Sequence, residues 1–263
     1  MSGAKRVVLV GSLLTVVARA AGAEEAPQEA PDVVVERAPS IDVAAQAGLL
    51  LPLALTPRVG DVAAIGMGLG GYDSARRTGI ATAAVEARIW GPIALRAGAA
   101  YSASRDGARP TVGARAQLLQ QSAHGVDGAL GVFYRPEGFT EPEGEIETFI
   151  CVGRRWDRLS LIGNLVYGQD PEGNERDGEV RLGALYGKQR WTFGVDSRMR
   201  FAIGAQRSAQ AMAEPKFDLL AGPIATVTVG PLALLAEAGP SILRVGGQTS
   251  VGVVAMAGIG AVF

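Results

Sequence analysis

This chain is poor in the residues on which most catalytic and metal-binding chemistry depends. It has one cysteine, Cys151, and so neither an intramolecular disulfide framework nor a cysteine-rich zinc site. Its one histidine is His124. Lysine occurs only as Lys5, Lys188 and Lys216, although Lys and Arg together number 25. The basic residues are therefore nearly all arginine, which prefers paired or partly buried sites. The formal net charge is −1, so no basic field attracts nucleic acid. Aromatic residues make up only 6% of the chain. Beyond the N-terminus no apolar run reaches the roughly 18 residues of a transmembrane helix.

What is present is apolar and rich in glycine: 263 residues, 48% hydrophobic, with 36 glycines. That length suits one large β domain or two small ones. The first 23 residues read as a secretory signal. Lys5 and Arg6 form a positive start, Val7 to Ala18 an apolar core too short to span a bilayer, and Ala21-Gly22-Ala23 a cleavage site. No cysteine stands directly after that site, which argues against a lipid-anchored start. Residues 24–40, rich in Pro, Glu and Ala, read as a flexible periplasmic linker. Residues 41–263 then form the folded domain. Its first stretch, 41–55, holds an apolar segment, Ala47 to Leu55, interrupted by Pro52. It reads as a plug, a first strand or a periplasmic segment.

Residues 191–203 carry the clearest pattern. Trp191, Phe193, Val195, Met199, Phe201 and Ile203 share one face, and Thr192, Asp196, Arg198 and Arg200 the other. A period of two over this length marks a strand longer than most soluble ones. Roughly 9–11 tilted residues cross a bilayer. The same alternation runs through 80–90, 93–102, 111–119, 145–156 and 249–263. Tight turns are expected near Gly91-Pro92, Ala123-Val126, Asp157-Arg158, Gly187-Gln189 and Gly230-Pro231. Longer polar loops are expected near 73–78, 103–110, 136–143, 168–178, 204–215 and 245–248. Short turns at one end and longer loops at the other are the asymmetry of a transmembrane barrel.

The few aromatics fall into two rows. Tyr72, Tyr101, Tyr134 and Tyr167 precede the long loops, and Trp90, Trp156 and Trp191 flank the tight turns. Two such belts mark the two water interfaces of a membrane barrel. Tyr186 is the exception, near a tight turn. The pattern predicts an all-β fold: an antiparallel, up-and-down transmembrane β-barrel of about twelve strands, with ten to fourteen as the range. Both termini are then periplasmic, the Trp row periplasmic and the Tyr row external. An exported soluble β-sheet binding protein is the alternative that alternation alone leaves open.

At the C-terminus, Ala257, Ile259, Ala261 and Phe263 alternate to the last residue. In this the chain resembles the bacterial outer-membrane β-barrel, porin-like superfamily. The resemblance implies outer-membrane lipid as the surrounding medium and an assembly signal at Phe263 read by the barrel-insertion machinery. It also implies that enzymatic members use a catalytic histidine with Ser, Asp or Glu. Here His124 sits in a predicted turn, and Ser122 and Asp127 are too near in sequence to converge on it. No catalytic residue, metal or cofactor is expected.

The faces that carry charge must point inward, because an arginine at mid-bilayer costs roughly 2–4 kcal/mol. The expected lumen residues are Glu86, Arg88, Arg96, Arg115, Glu145, Glu147, Arg155, Glu179, Arg181, Asp196, Arg198, Arg200 and Glu237. They form either a ladder of pairs that braces the interior or an eyelet that orients solutes. Inward Gly and Ala positions leave room, which favours some opening. Three features carry less. Gly66, Gly68 and Gly71 match G-x-G-x-x-G without a following helix. Asp170, Glu172, Asn174, Glu175 and Asp177 read as a solvated acidic loop, since the EF-hand calcium spacing is absent. Cys151 reads as a small filler facing the lumen. The expected function is a passive, narrow channel for small polar solutes. A closed structural or adhesive barrel, binding partners through its outer loops, is the rival.

Overall fold

A computed structural model describes residues 59, 64–103, 107–136, 144–171, 173, 175–204 and 215–262. The strands are β1 (Ala64–Asp73), β2 (Thr78–Trp90), β3 (Ile93–Ser102), β4 (Gly107–Leu119), β5 (Asp127–Pro136) and β6 (Gly144–Trp156). They continue as β7 (Leu159–Gln169), β8 (Arg176–Lys188), β9 (Trp191–Ala202), β10 (Phe217–Val229), β11 (Leu232–Val245) and β12 (Gln248–Val262). A short helix, α1 (Gln121–His124), lies between β4 and β5. Each strand pairs antiparallel with its sequence neighbours, and β1 pairs with β12 to close a barrel of twelve strands. Strand type, strand number and up-and-down order agree with the sequence pattern. Closure removes the free sheet edges that an open sheet would expose.

The register shows which way each face points. Along β9, Trp191, Phe193, Val195 and Met199 are exposed on the outside, while Thr192 and Asp196 are buried inside. The outward side chains of the other strands are also apolar and exposed, among them Leu95, Val112, Leu130, Ile150, Leu165, Leu182, Leu234 and Val251. Such a band is unfavourable in water and matches the hydrocarbon of a bilayer. Its polar groups are inside, the reverse of a soluble sandwich. Tyr72, Tyr101, Tyr134 and Tyr167 ring one end of the band, and Trp90, Trp156 and Trp191 the other. Tyr186 joins the Trp row, where Arg158 of the β6–β7 turn bonds to its hydroxyl and holds that arginine's pKa up. Arg154 and Arg190 lie over Trp156 and Trp191, at 4.9 and 5.8 Å from the ring centroids.

The connections differ from expectation at three places. The expected tight turn at Ala123-Val126 is instead α1, ended by Gly125 at φ 76°. Asp127 ties it down by accepting from the Gln121 N–H at 2.9 Å. The expected longer loop at 245–248 is a bare Gly246–Gly247 turn with φ of 54° and 85°. Both residues at positive φ give the twist that a two-residue hairpin needs. The expected longer loop at 73–78 is Ser74 to Arg77 only. Residues 1–55, including the signal, linker and 41–55 segments, lie outside the described residues, as does Phe263.

Five inward glycines face large side chains rather than open space. Gly131 pairs with Phe149 and Gly113 with Phe133, and each ring lies over the facing glycine. Leu185 covers Gly194, Met256 covers Gly71 and Leu69 covers Gly258 in the same way. Together with Ile162, Val166, Leu220, Ile224, Leu235, Val254 and Cys151 they build a buried apolar cluster inside the barrel. At these five glycines the expectation of an opened interior is corrected: a large side chain from the adjacent strand fills the place of the missing one.

Candidate functional site

Inward parity places all thirteen expected charged residues on the lumen side of their strands. They do not form one ladder. An outer group lies toward the Tyr end, on β5, β6 and β8–β10. An inner group lies on β2–β4, and Asp196 and Glu237 stand apart from both. Arg88 and Arg155 sit near the Trp end of β2 and β6.

The outer group is a belt of interlocked pairs. Arg135 of β5 pairs with Glu147 and stands 3.8 Å from Glu145 on β6. Arg200 of β9 donates from Nε to Asp177 at 2.6 Å and reaches Glu145 at 3.7 Å. That second contact passes β7 at Gly168, where a Cβ would overlap the Glu145 carboxylate. Glu179 of β8 takes bonds from Arg181 and from Arg198, the latter at 2.6 Å. Arg198 also approaches Asp218 of β10 at 3.9 Å.

The β1–β2 turn closes this belt. Asp73 accepts the Ala75 N–H at 2.9 Å, which turns the chain sharply. Ser74 then anchors on β12, donating its N–H to the Val253 carbonyl at 2.9 Å and accepting the Val253 N–H at 2.7 Å. Arg76 is thereby directed across the end of the barrel, where it pairs with Asp73 and with Asp218. One turn thus bridges from β1 to β10, passing two intervening strands. Burial alone would lower the pKa of Arg76, but the charges of Asp218 and Asp73 and their hydrogen bonds to it outweigh burial and raise it.

The inner group centres on Arg115, which donates from Nε to Glu86 at 3.0 Å and is almost fully buried. Arg96, opposite Glu86 on β3, lies 5.6 Å from the Phe133 ring centroid. Asp73, Arg135, Asp177, Asp218 and Arg76 were not anticipated as lumen residues. The first four were within reach of the alternation rule, since Asp177 precedes Glu179 by two and Asp218 precedes Leu220 by two. Arg76 lies in a turn, where no period applies.

The remaining candidates do not gather. His124 is exposed on α1 and its Nδ1 lies 3.3 Å from the Gln120 carbonyl. The Asp127 carboxylate is bonded to Gln117 at 3.0 Å and to the Gln121 N–H, away from Ser122 and His124. In the acidic loop Asp170 accepts the Glu175 N–H at 2.8 Å, while Asp177 belongs to the belt. Glu172 and Asn174 lie outside the described residues. Cys151 is fully buried in the apolar cluster.

An apolar exterior between two aromatic rows, charges inside and a closed sheet decide the class. The chain folds as a porin-like β-barrel. No protein-family model and no curated protein matches its sequence. Solved porins share its fold. The NanC porin superposes with a TM-score of 0.56 at 11% identity, covering 74% of this chain and 98% of NanC. The KdgM porin superposes with a TM-score of 0.55 at 9% identity, covering 76% of this chain and 99% of KdgM. The KdgM porin in complex with disordered oligogalacturonate gives 0.56 at 9% identity over 76% and 99%. The shared barrel spans nearly the full length of these porins.

Proposed function

We propose that this protein is a passive, narrow outer-membrane channel for small polar solutes, with the outer charged belt as its selective constriction. The observation that carries the reading is the β1–β2 turn, which directs Arg76 across the end of the barrel to meet Asp218 beside Arg198, Glu179 and Arg200. A constriction lined by both signs at close range orients dipolar solutes. The shared fold of the NanC and KdgM porins supports the same reading. KdgM was solved with oligogalacturonate, a polyanion. In this chain the belt arginines already face carboxylates, so the belt suits small neutral or zwitterionic solutes better than a polyanion. Export through the signal at 1–23, assembly through Phe263 and the insertion machinery, and residence in the bacterial outer membrane belong to this reading. It requires no cofactor and no catalytic group.

A second reading has its own observation. The buried apolar cluster beneath the belt fills the middle of the barrel, as a closed structural barrel that binds partners through its outer loops requires. Single-channel recording of the refolded protein in planar bilayers, with insertion confirmed by gel mobility, separates the two. Discrete, stable steps support the channel. Insertion without conductance overturns it in favour of the closed barrel.

A further inference from the structure

The outward face at the Trp end is uncharged around most of the barrel. On β2–β5 and β10–β11 it presents side chains such as Trp90, Leu118, Leu130, Val229 and Leu232. The turns that join these strands at this end hold no Lys or Arg. The sector of β6–β9 differs. Arg154 of β6 faces outward, in step with exposed Ile150, Val152 and Trp156, while Phe149 and Cys151 are buried on the other face. Lys188 of β8 faces outward in step with Leu182 and Tyr186. Arg158 and Arg190 come from the β6–β7 and β8–β9 turns. Backbone bonds fix both turns against the wall. The Arg158 carbonyl accepts the Gly187 N–H at 2.9 Å, and the Arg190 carbonyl accepts the Thr228 N–H at 2.8 Å. All four cations are exposed.

Charge in this sector has one sign. Its one outward acid is Asp157, 3.7 Å from Arg158, and the two side chains are 91% and 54% exposed. So open a pair neutralises little. Among the described residues no carboxylate pairs with Arg154, Lys188 or Arg190. Two of the four cations are held at the depth of the aromatic row, since Arg154 lies over Trp156 and Arg190 over Trp191. Interfacial tryptophan sits at headgroup level, so these guanidinium groups lie among headgroups rather than in bulk water. Leu159 on β7 pairs with Trp156 on one side and Tyr186 on the other. Leu161, Leu165 and Leu182 are exposed beyond them toward the middle of the bilayer. Two strand spacings, about 10 Å, separate β6 from β8, which long Arg and Lys side chains can span. Arginine grips phosphate oxygens through paired N–H groups, and lysine adds a point charge. A phosphate headgroup over β7, with its acyl chains along the leucines, meets every one of these features. A soluble acidic partner reaches the turns, but it meets Arg154 only by entering the headgroup layer.

We propose that the Trp end of β6–β9, through Arg154, Arg158, Lys188 and Arg190, binds an anionic phospholipid of the surrounding leaflet. The site goes beyond the channel reading; it rests on the membrane residence within that reading and not on transport. The test refolds the full chain into phosphatidylcholine vesicles that contain a minor fraction of phosphatidylglycerol. Bromine on the acyl chains of one lipid or the other quenches nearby tryptophan. A Trp90→Phe/Trp191→Phe chain reports on the charged sector through Trp156. A Trp156→Phe/Trp191→Phe chain reports on the uncharged sector through Trp90. Brominated phosphatidylglycerol is expected to quench Trp156 about twofold or more over brominated phosphatidylcholine at equal amount. The two lipids should quench Trp90 alike, and Arg154→Gln/Lys188→Gln should equalise them at Trp156. Equal quenching at Trp156 overturns the site, as does a preference that Trp90 shares or that survives the double substitution. Gel mobility in phosphatidylcholine alone reports insertion separately. A chain that never inserts refutes membrane residence, and the site falls with it; an inserted chain without preference refutes the site alone. The comparison of Trp156 with Trp90 keeps every wild-type cation, so misfolding of the double variant does not shelter the proposal.

Discussion

Val195 and Arg198 lie on one strand and face different media. Val195 is 57% exposed on the outer band, and the Arg198 side chain is 13% exposed, against Glu179. Val195→Arg places a cation in hydrocarbon at a cost of roughly 2–4 kcal/mol. It is expected to abolish the heat-modifiable, membrane-inserted form on gels. Arg198→Ala leaves Glu179 held by Arg181, and the same gel should show normal assembly. Equal outcomes for the two variants would refute the assignment of faces. Phe149 tests the interior in the same way. Its ring lies over Gly131 and stacks on Phe133 at 5.0 Å between centroids. Phe149→Ala removes that ring and should cost about 3–5 kcal/mol in denaturant unfolding. If the apolar cluster limits the pore, the surviving inserted protein conducts more than wild type. Gly131→Val forces the ring aside by overpacking and should cost about 1–3 kcal/mol without that gain in conductance.

Individual strands were legible wherever one face is apolar and the other charged. In β9 the choice between Val195 outside and Asp196 inside needs only the cost of burying charge in lipid. The outward face of β12, from Val251 to Ala261, was readable for the same reason. Legibility fell where apolar side chains stand on both faces. Phe149 shares its face with Glu147, and Ile162 with Ser160 and Asn164, so parity points both inward, but nothing in the sequence shows that they pack into one cluster. It failed at glycine, whose empty position is filled by a partner such as Leu185 that only the register identifies. The turns were read from composition, and composition does not report length. Gly246 and Gly247 look like a loose loop but form a tight hairpin, since both adopt left-handed φ. Gly247→Ala should therefore destabilise the β11–β12 hairpin by ~1–2 kcal/mol. Reversible unfolding in lipid vesicles measures it, and a neutral result would exclude the left-handed conformation at that position.

For the molecule as a whole, the question is whether the charged belt lies on a path for ions. Arg76 decides it, since it is the one belt residue supplied by a turn rather than by the wall. Arg76→Ala removes a cation from the opening and frees Asp73 and Asp218 from it. The turn itself stays in place, because its hydrogen bonds to Val253 run through Ser74. The barrel should therefore insert normally while its outer opening widens and gains negative charge. Conductance should rise, and the reversal potential across a salt gradient should move toward cation selectivity. Asp218→Asn subtracts a negative charge from the same place and should move the potential the opposite way. Both shifts should shrink as salt rises, since screening shortens the reach of exposed charge to about 3 Å at 1 M. Opposite shifts from the two variants require that permeating ions sense both side chains. Unchanged potentials in both, with normal insertion, would show that the belt braces a closed wall, and would assign the barrel's interior to stability rather than to transport.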